Sequence, residues 1–127
     1  MKEVIFVIDW TLPGLNDYLN ACKGGARKGA QLKRQVDEDL MWVLRSQCRK
    51  TLNALYDVDF RWYEKDKRRD HDNISSAHKF IFDALVKAQI LPDDGWKYVG
   101  DFTYKFFVDK KHPRIDVVLR RREDERL

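Results

Sequence analysis

The sequence predicts a single mixed α+β domain in which a sheet of about four strands packs with helices. The chain has 127 residues, which is the length of one domain, so we expect one domain over residues 1–127. Apolar residues recur every second position in some segments and every third or fourth in others, which indicates both strands and helices. Their order along the chain is strand, helix, helix, strand, helix, strand, strand. This order is typical of a layered mixed fold.

The first half of the chain supplies one strand and two helices. Residues 3–10 are rich in β-branched and aromatic side chains and stop at "TLPG", which predicts a buried strand. A short helix is expected over 15–21. Glycines interleaved with basic residues over 23–29 predict a mobile loop. The apolar stripe that follows predicts an amphipathic helix from about 30 to 48.

The second half supplies the remaining strands and the third helix. Residues 52–64 alternate apolar and polar side chains, the repeat of a half-buried strand. An apolar stripe predicts a helix over 74–88, and "PDDG" at 92–95 predicts a tight turn. Two strands are expected at 98–108 and 114–120. The short "DKKHP" connection between them predicts that they form an antiparallel pair.

Composition and charge indicate a globular protein that prefers anionic partners. The chain is 43% hydrophobic and 36% charged, with a formal charge of +4 and a pI near 9.1. Cys22 and Cys48 have no metal-site spacing, which predicts free thiols in a reducing compartment and no zinc site. The apolar run at 4–8 is too short for a membrane span and lacks the features of a signal peptide. These observations predict a cytoplasmic protein with no membrane partner.

Two acidic pairs flank the third predicted helix. Asp70 and Asp72 precede it, and Asp93 and Asp94 follow it. Close carboxylates repel one another unless a cation holds them, and such oxygen clusters favour Mg²⁺ or Mn²⁺. A helix of about fifteen residues spans roughly 22 Å, so the pairs share a site only if the chain folds back or the helix begins later.

Structural roles are open alternatives for these and the neighbouring polar residues. Asp72 would serve equally as a helix cap, Asp93 and Asp94 as turn residues, and nearby arginines as their counter-charges. His71 is a candidate metal ligand, phosphate contact or solvated side chain. His78 and His112 are expected at the surface. The aromatic residues of the predicted strands fit core packing better than base stacking, and Lys79 and Asp83 have the spacing of a helical surface pair.

An ordered set of short motifs resembles the RusA family of Holliday-junction resolvases, in its phage-associated branch. "KRRDHDNI" is followed by "FDALVKAQILPDDGW", and "PGLNDY" precedes both. The family pattern is a basic run, Asp-x-Asp-Asn, a helix with Lys and then Asp-Ala-Leu, and an Asp-Asp pair. The matches cover most of residues 11–105. The matching positions are Asp70, Asp72, Asn73, Asp83-Ala84-Leu85 and Asp93-Asp94.

The resemblance implies a homodimeric endodeoxyribonuclease that binds four-way DNA junctions and nicks two strands symmetrically in recombination and repair. It implies Mg²⁺ as the cofactor, with Mn²⁺ as a substitute, and no small-molecule cofactor. Asp70, Asp72 and Asp94 take the positions of the catalytic carboxylates, and Asp93 stands beside them as a further metal ligand.

One position departs from the family pattern. The family lysine usually falls four residues after the second motif aspartate, where this chain has Ser76. Counting back four residues from Asp83 gives Lys79, to which we assign the lysine's role in catalysis. On a continuous helix this displacement amounts to about 4.5 Å along the axis and about 60° around it.

Basic residues are expected to hold the DNA backbone without reading its sequence. Two other functions stay open at this point: a basic junction-binding protein whose acids are only caps and turns, and a flap or fork nuclease with similar chemistry. The predicted DNA contacts are Arg27, Lys28, Lys33, Lys67, Arg68, Arg69 and Asn73.

Overall fold

Eight elements build a four-stranded mixed sheet and the helices that pack with it. The computed structural model describes residues 2–123. The mixed α+β class and the four-stranded sheet are as predicted. The elements are β1 (Glu3–Ile8), α1 (Leu15–Lys23), α2 (Ala26–Gln47), β2 (Tyr56–Glu64), α3 (His71–Ser75), α4 (His78–Lys87), β3 (Val99–Val108) and β4 (Arg114–Arg121).

The strand order differs from the prediction at one point. The sheet runs β1-β4-β2-β3, with β4 antiparallel to β1 and to β2, while β2 and β3 are parallel. The expectation that the last two strands pair with each other is therefore wrong, because β2 lies between them. Their short connection crosses the end of β2, where the Asp109 N–H donates to the Glu64 carbonyl at 2.7 Å.

The alternation predicted for β2 separates a buried face from a charged one. Phe60 and Trp62 are fully buried, and the Phe60 ring meets Phe82 of α4 edge-on with centroids 5.4 Å apart. Successive strand residues point to opposite faces, so Asp59 and Arg61 lie on the other side of the sheet. The buried side chains gather into a cluster that includes Phe6, Ile8, Leu40, Leu44, Ile81, Leu85, Ile115 and Leu119.

The predicted glycine loop is shorter than expected. Helix α2 begins at Ala26, directly after Gly25, whose φ of +116° suits only glycine. Gly29 lies inside α2 and is buried; a β-carbon there would come within 2.6 Å of the Cys22 sulfur. The glycine that suggested a loop therefore permits the close approach of α1 and α2.

The helix predicted over 74–88 is two helices. It starts earlier, at His71, and the segment breaks at Ser76 and Ala77 before α4 begins. The Ser76 hydroxyl donates to the Asn73 backbone carbonyl at 2.6 Å and accepts from the Leu15 N–H of α1. These two bonds stabilise the break. The displacement calculated for Lys79 on a continuous helix therefore does not apply.

Both cysteines are free thiols, as predicted, with Cys22 exposed and Cys48 buried. None of the helices in residues 2–123 combines the length and the apolar character that a membrane span requires.

Candidate functional site

The two segments that carry the motifs interlock through hydrogen bonds. The backbone N–H groups at the start of a helix lack partners within the helix. For α1, α3 and the residue that follows it supply the missing acceptors. The Leu15 N–H donates to the Ser76 hydroxyl at 2.8 Å, and the Asn16 N–H donates to Asn73 Oδ1 at 2.9 Å. Asn73, predicted as a DNA contact, uses its side-chain amide oxygen to cap α1. Ser76, the position that departs from the family pattern, is part of the same cap.

Gly14 is required at this junction. A β-carbon at Gly14 would lie 2.4 Å from Asn73 Oδ1 and 2.5 Å from the Asn73 carbonyl oxygen. Its own N–H donates to the Asp17 carboxylate at 2.9 Å. The "PGLNDY" and "RDHDN" stretches therefore belong to one local structure, although fifty residues separate them.

Arg69, a predicted DNA contact, is held by several contacts within the fold. Its Nε and Nη2 donate to the two carboxylate oxygens of Glu64 at 2.9 and 3.0 Å, and its Nη1 donates to the Leu12 carbonyl at 3.0 Å. Such a forked pair fixes geometry as well as charge. Arg68, by contrast, is 84% exposed and lies 3.5 Å from Asp66. Of the two adjacent arginines, Arg68 is therefore the more exposed, against 24% for Arg69.

Lys79 lies between two carboxylates. Its Nζ is 3.1 Å from Asp83 Oδ1 and 3.8 Å from Asp94 Oδ2, so the chain after α4 folds back to the beginning of that helix. The hydrogen bond with Asp83 is the main reason that the pKa of Lys79 is raised, and Asp94 adds to it. Lys79 also lines a cavity of about 260 Å³ between the helices, together with Lys33 and Tyr18. The ammonium is therefore held charged beside Asp94, one of the predicted catalytic carboxylates.

The other predicted metal ligands, Asp70, Asp72 and Asp93, each have different surroundings. The Asp70 side chain is exposed and lines a different cleft. Asp72 accepts a hydrogen bond from the Asn73 N–H at 3.0 Å. Asp93 accepts from the Gly95 N–H at 2.7 Å, which is the turn role that the sequence left open. In the part of the chain that the structure describes, no three His, Cys, Asp or Glu side chains are grouped to hold a metal ion. The carboxylates suit Mg²⁺ chemically, but their arrangement in one chain does not fit it.

The Asp70 cleft lies where the carboxyl ends of β2 and β3 meet α3. It measures about 620 Å³, and Lys67, His71 and Phe107 contribute to its lining. The His71 ring stacks on Phe106 with centroids 3.9 Å apart and parallel planes. We did not single out Phe107 from the sequence. The "FF" pair in β3 could have indicated it, because adjacent strand residues point to opposite faces of the sheet and only one of the two phenylalanines can face the core.

His78 was expected at the surface, but it is half-buried. Helix α4 begins at His78, and its first turn faces β3, so the ring is half-buried with Phe102 at 5.5 Å and Tyr104 at 5.8 Å between centroids. Its Nδ1 lies 2.9 Å from both the Ser75 carbonyl and the Tyr104 hydroxyl. His112 is exposed as expected, 2.8 Å from Asp9.

Basic residues at the start of α2 have no acidic partners. We call residues 23–34 the basic segment. Arg27 and Lys28 occupy the first turn of α2, which contains no acid, and positive charge at a helix N-terminus opposes the helix dipole. A structural role does not account for these cations. The five that form no ion pair with an acid among residues 2–123 are Lys23, Arg27, Lys28, Lys33 and Arg34.

No protein-family model matches the chain, and no curated protein matches it with significant similarity.

Proposed function

We propose that the protein is a RusA-like endodeoxyribonuclease that cuts branched DNA, with four-way junctions as its substrate. The contact of Lys79 with Asp94 carries this proposal. The motif resemblance assigns both residues to one catalytic site, and their charged groups lie 3.8 Å apart although fifteen positions separate them. An ammonium beside the reacting phosphate stabilises the negative charge that develops during phosphodiester cleavage.

Two further observations support DNA as the partner. The unpaired cations of the basic segment are free to contact phosphates, which gives affinity without sequence selection. In addition, Asn73 and Ser76 cap α1, which joins the segment that carries Asp72 to the helix that leads into the basic segment. A homodimer would present two such sites related by a two-fold axis, which suits symmetric nicking of a junction with the same symmetry.

Dependence on Mg²⁺, with Mn²⁺ as a substitute, remains a prediction of the sequence. Because the four carboxylates are not grouped among residues 2–123 of one chain, we assign no catalytic step to the ion.

The same observation favours a second candidate function. A protein that binds junctions through its unpaired cations but does not cut them needs no metal site, and its carboxylates would act only as caps and turn residues. Asp93 already acts in this way in the turn that ends at Gly95.

A cleavage assay separates these functions. Purified protein is incubated with Mg²⁺ and a synthetic four-way junction, a flap, a fork or a linear duplex. We expect paired nicks in the junction, and we expect Asp70→Asn, Asp72→Asn and Asp94→Asn to abolish nicking without weakening junction binding. Asp39→Asn is the matched control, because Asp39 is an exposed carboxylate on α2 that belongs to no part of the proposed site. Binding without nicking by the wild type would establish the second candidate, and preference for the flap or fork would identify a different branched substrate.

A further inference from the structure

The cleft beside Asp70 is lined by the aromatic residues His71, Phe106 and Phe107 as well as by charged side chains. We call it the terminal cleft, because it lies at the carboxyl ends of the parallel strands β2 and β3. Its volume of about 620 Å³ is in the range of sites that take a small planar ligand. Asp70 is the only residue of the proposed catalytic set among those that line it. The remaining lining residues therefore need another explanation.

Two supported aromatic rings border the terminal cleft, one on each face of the sheet, because Phe106 and Phe107 are successive residues of β3. His71 lies flat on Phe106, and Phe107 stacks on Tyr63 with centroids 4.7 Å apart and planes within 16°. Tyr63 is in turn covered by the Arg114 guanidinium, 3.8 Å from its ring centroid. Phe107 is nonetheless 41% exposed. An exposed ring that a second ring holds in place on one face, as Tyr63 holds Phe107, is suited to stacking with another flat ring.

The charges of the lining residues leave one cation unpaired. Glu64 forms an ion pair with Arg69, and Asp66 forms one with Arg68. Lys67 forms no ion pair with an acid among the described residues, and the Asp70 side chain has no hydrogen-bond or ion-pair partner among them. A ligand that combines a flat ring with one nearby negative group matches Phe107 and Lys67 together.

We propose that the terminal cleft binds an unpaired nucleobase of the DNA, which stacks on Phe107 while Lys67 contacts the adjoining phosphate. The inference rests on the proposed function in taking DNA as the ligand and adds that unpaired bases are recognised. Stacking does not distinguish strongly among bases, so the cleft selects for an unstacked base rather than for a sequence.

The test uses binding without added metal, so that cleavage does not interfere. A duplex with one bulged 2-aminopurine is compared with the fully paired duplex, and anisotropy gives both affinities. The Phe107→Ala variant should weaken binding of the bulged DNA roughly 5- to 100-fold and restore the 2-aminopurine fluorescence that stacking quenches. Lys67→Met should weaken binding and lower the salt dependence by about one phosphate contact.

Phe102→Ala is the matched control. Phe102 is on the same strand and is 42% exposed, but it does not line the cleft, so its variant should keep the wild-type preference for the bulged DNA. Thermal unfolding of each variant establishes that it is folded. Equal effects of the two phenylalanine variants, or unquenched fluorescence with the wild type, would overturn the proposal. So would a change in oligomeric state caused by Phe107→Ala, since that places a second copy on the cleft.

The results also distinguish this inference from the proposed function. If Phe107→Ala selectively weakens bulged DNA but no substrate is cut, the base-binding cleft stands and the nuclease does not. If junctions are cut and Phe107→Ala behaves like Phe102→Ala, the nuclease stands and the cleft proposal fails.

Discussion

The charged face of the sheet and the basic segment carry similar cations but differ in how those cations are paired. By the charged face we mean the surface around Asp59, where acidic and basic side chains of neighbouring strands alternate. Asp59 is 4% exposed, with Arg61, Lys105 and Arg120 at 3.1, 3.7 and 4.0 Å from its Oδ2. The basic segment has no such acid. Net charge therefore says less about a binding surface than the local pairing of cations does.

This difference has a thermodynamic consequence for DNA binding. A cation of the charged face must loosen an existing ion pair before it can contact a phosphate, and Arg120, for example, also lies 3.1 Å from Glu3. The cations of the basic segment meet water and counterions, and phosphate contact releases DNA counterions at little cost to the protein. We therefore expect the basic segment to supply affinity and the charged face to supply stability.

The largest expected effect is the loss of DNA affinity when the basic segment is neutralised. The triple variant Arg27→Gln, Lys28→Gln, Lys33→Gln should bind a junction roughly 100-fold more weakly near physiological salt, because each lost phosphate contact lowers the salt slope by about 0.9. Its free energy of unfolding should stay the same or rise slightly, since Arg27 and Lys28 oppose the α2 dipole. Titrations at several salt concentrations and urea unfolding measure both quantities.

The matched control removes the same charge from the charged face. The variant Arg61→Gln, Lys105→Gln, Arg120→Gln should lose stability but keep its junction affinity within about twofold when only folded protein is counted. An equal loss of affinity in both triple variants would show that pairing does not decide which cations bind DNA.

A smaller effect is expected from the buried acid of the charged face. Asp59→Ala should lower the free energy of unfolding by about 2 kcal/mol, because three cations and the Thr103 hydroxyl lose their shared partner. The partly exposed cations can regain water, which keeps the loss below that of a fully buried pair. Urea unfolding measures the change.

Asp57→Ala is the comparison for this prediction. Asp57 is on the same strand and face but is 42% exposed, and its contact with Arg122 is 3.4 Å. A smaller loss is expected, as for an exposed pair. If Asp57→Ala costs as much as Asp59→Ala, burial does not determine the strength of the charged face.

The sequence predicted the features that depend on local pattern. The alternation of β2 gave both the buried Phe60 and Trp62 and the charged positions between them, and the basic segment was apparent from its lack of acids. These features follow from neighbouring residues alone.

Features that depend on distant partners could not be predicted in the same way. Arg69 resembles its neighbour Arg68 in sequence, and only the fold brings it to Glu64 and the Leu12 carbonyl. Asn73 caps a helix that begins more than fifty residues earlier. Likewise, the length of the connection between β3 and β4 permits either a hairpin or a crossing over β2.

The smallest expected effect belongs to the rim of the charged face, at Asp109 in the β3–β4 connection. Its carboxylate accepts from the N–H groups of His112 and Lys111 and from Arg114, at 3.1 to 3.2 Å. These bonds, with His112 first, lower the pKa of Asp109 below its ordinary value of 3.8. A lowered folded-state pKa means that the carboxylate stabilises the fold above that ordinary value, and that this contribution is lost as the pH falls through the folded pKa.

Asp109→Asn should therefore be slightly less stable than the wild type at neutral pH, and the difference should shrink as the solution is acidified below the ordinary pKa. Urea unfolding of both proteins across this range measures the difference directly. The effect is expected to be small because solvent screens the exposed carboxylate, unlike that of Asp59. A difference that is independent of pH would mean that the asparagine changes the turn itself, and that ion pairing at the rim adds nothing to the stability of the charged face.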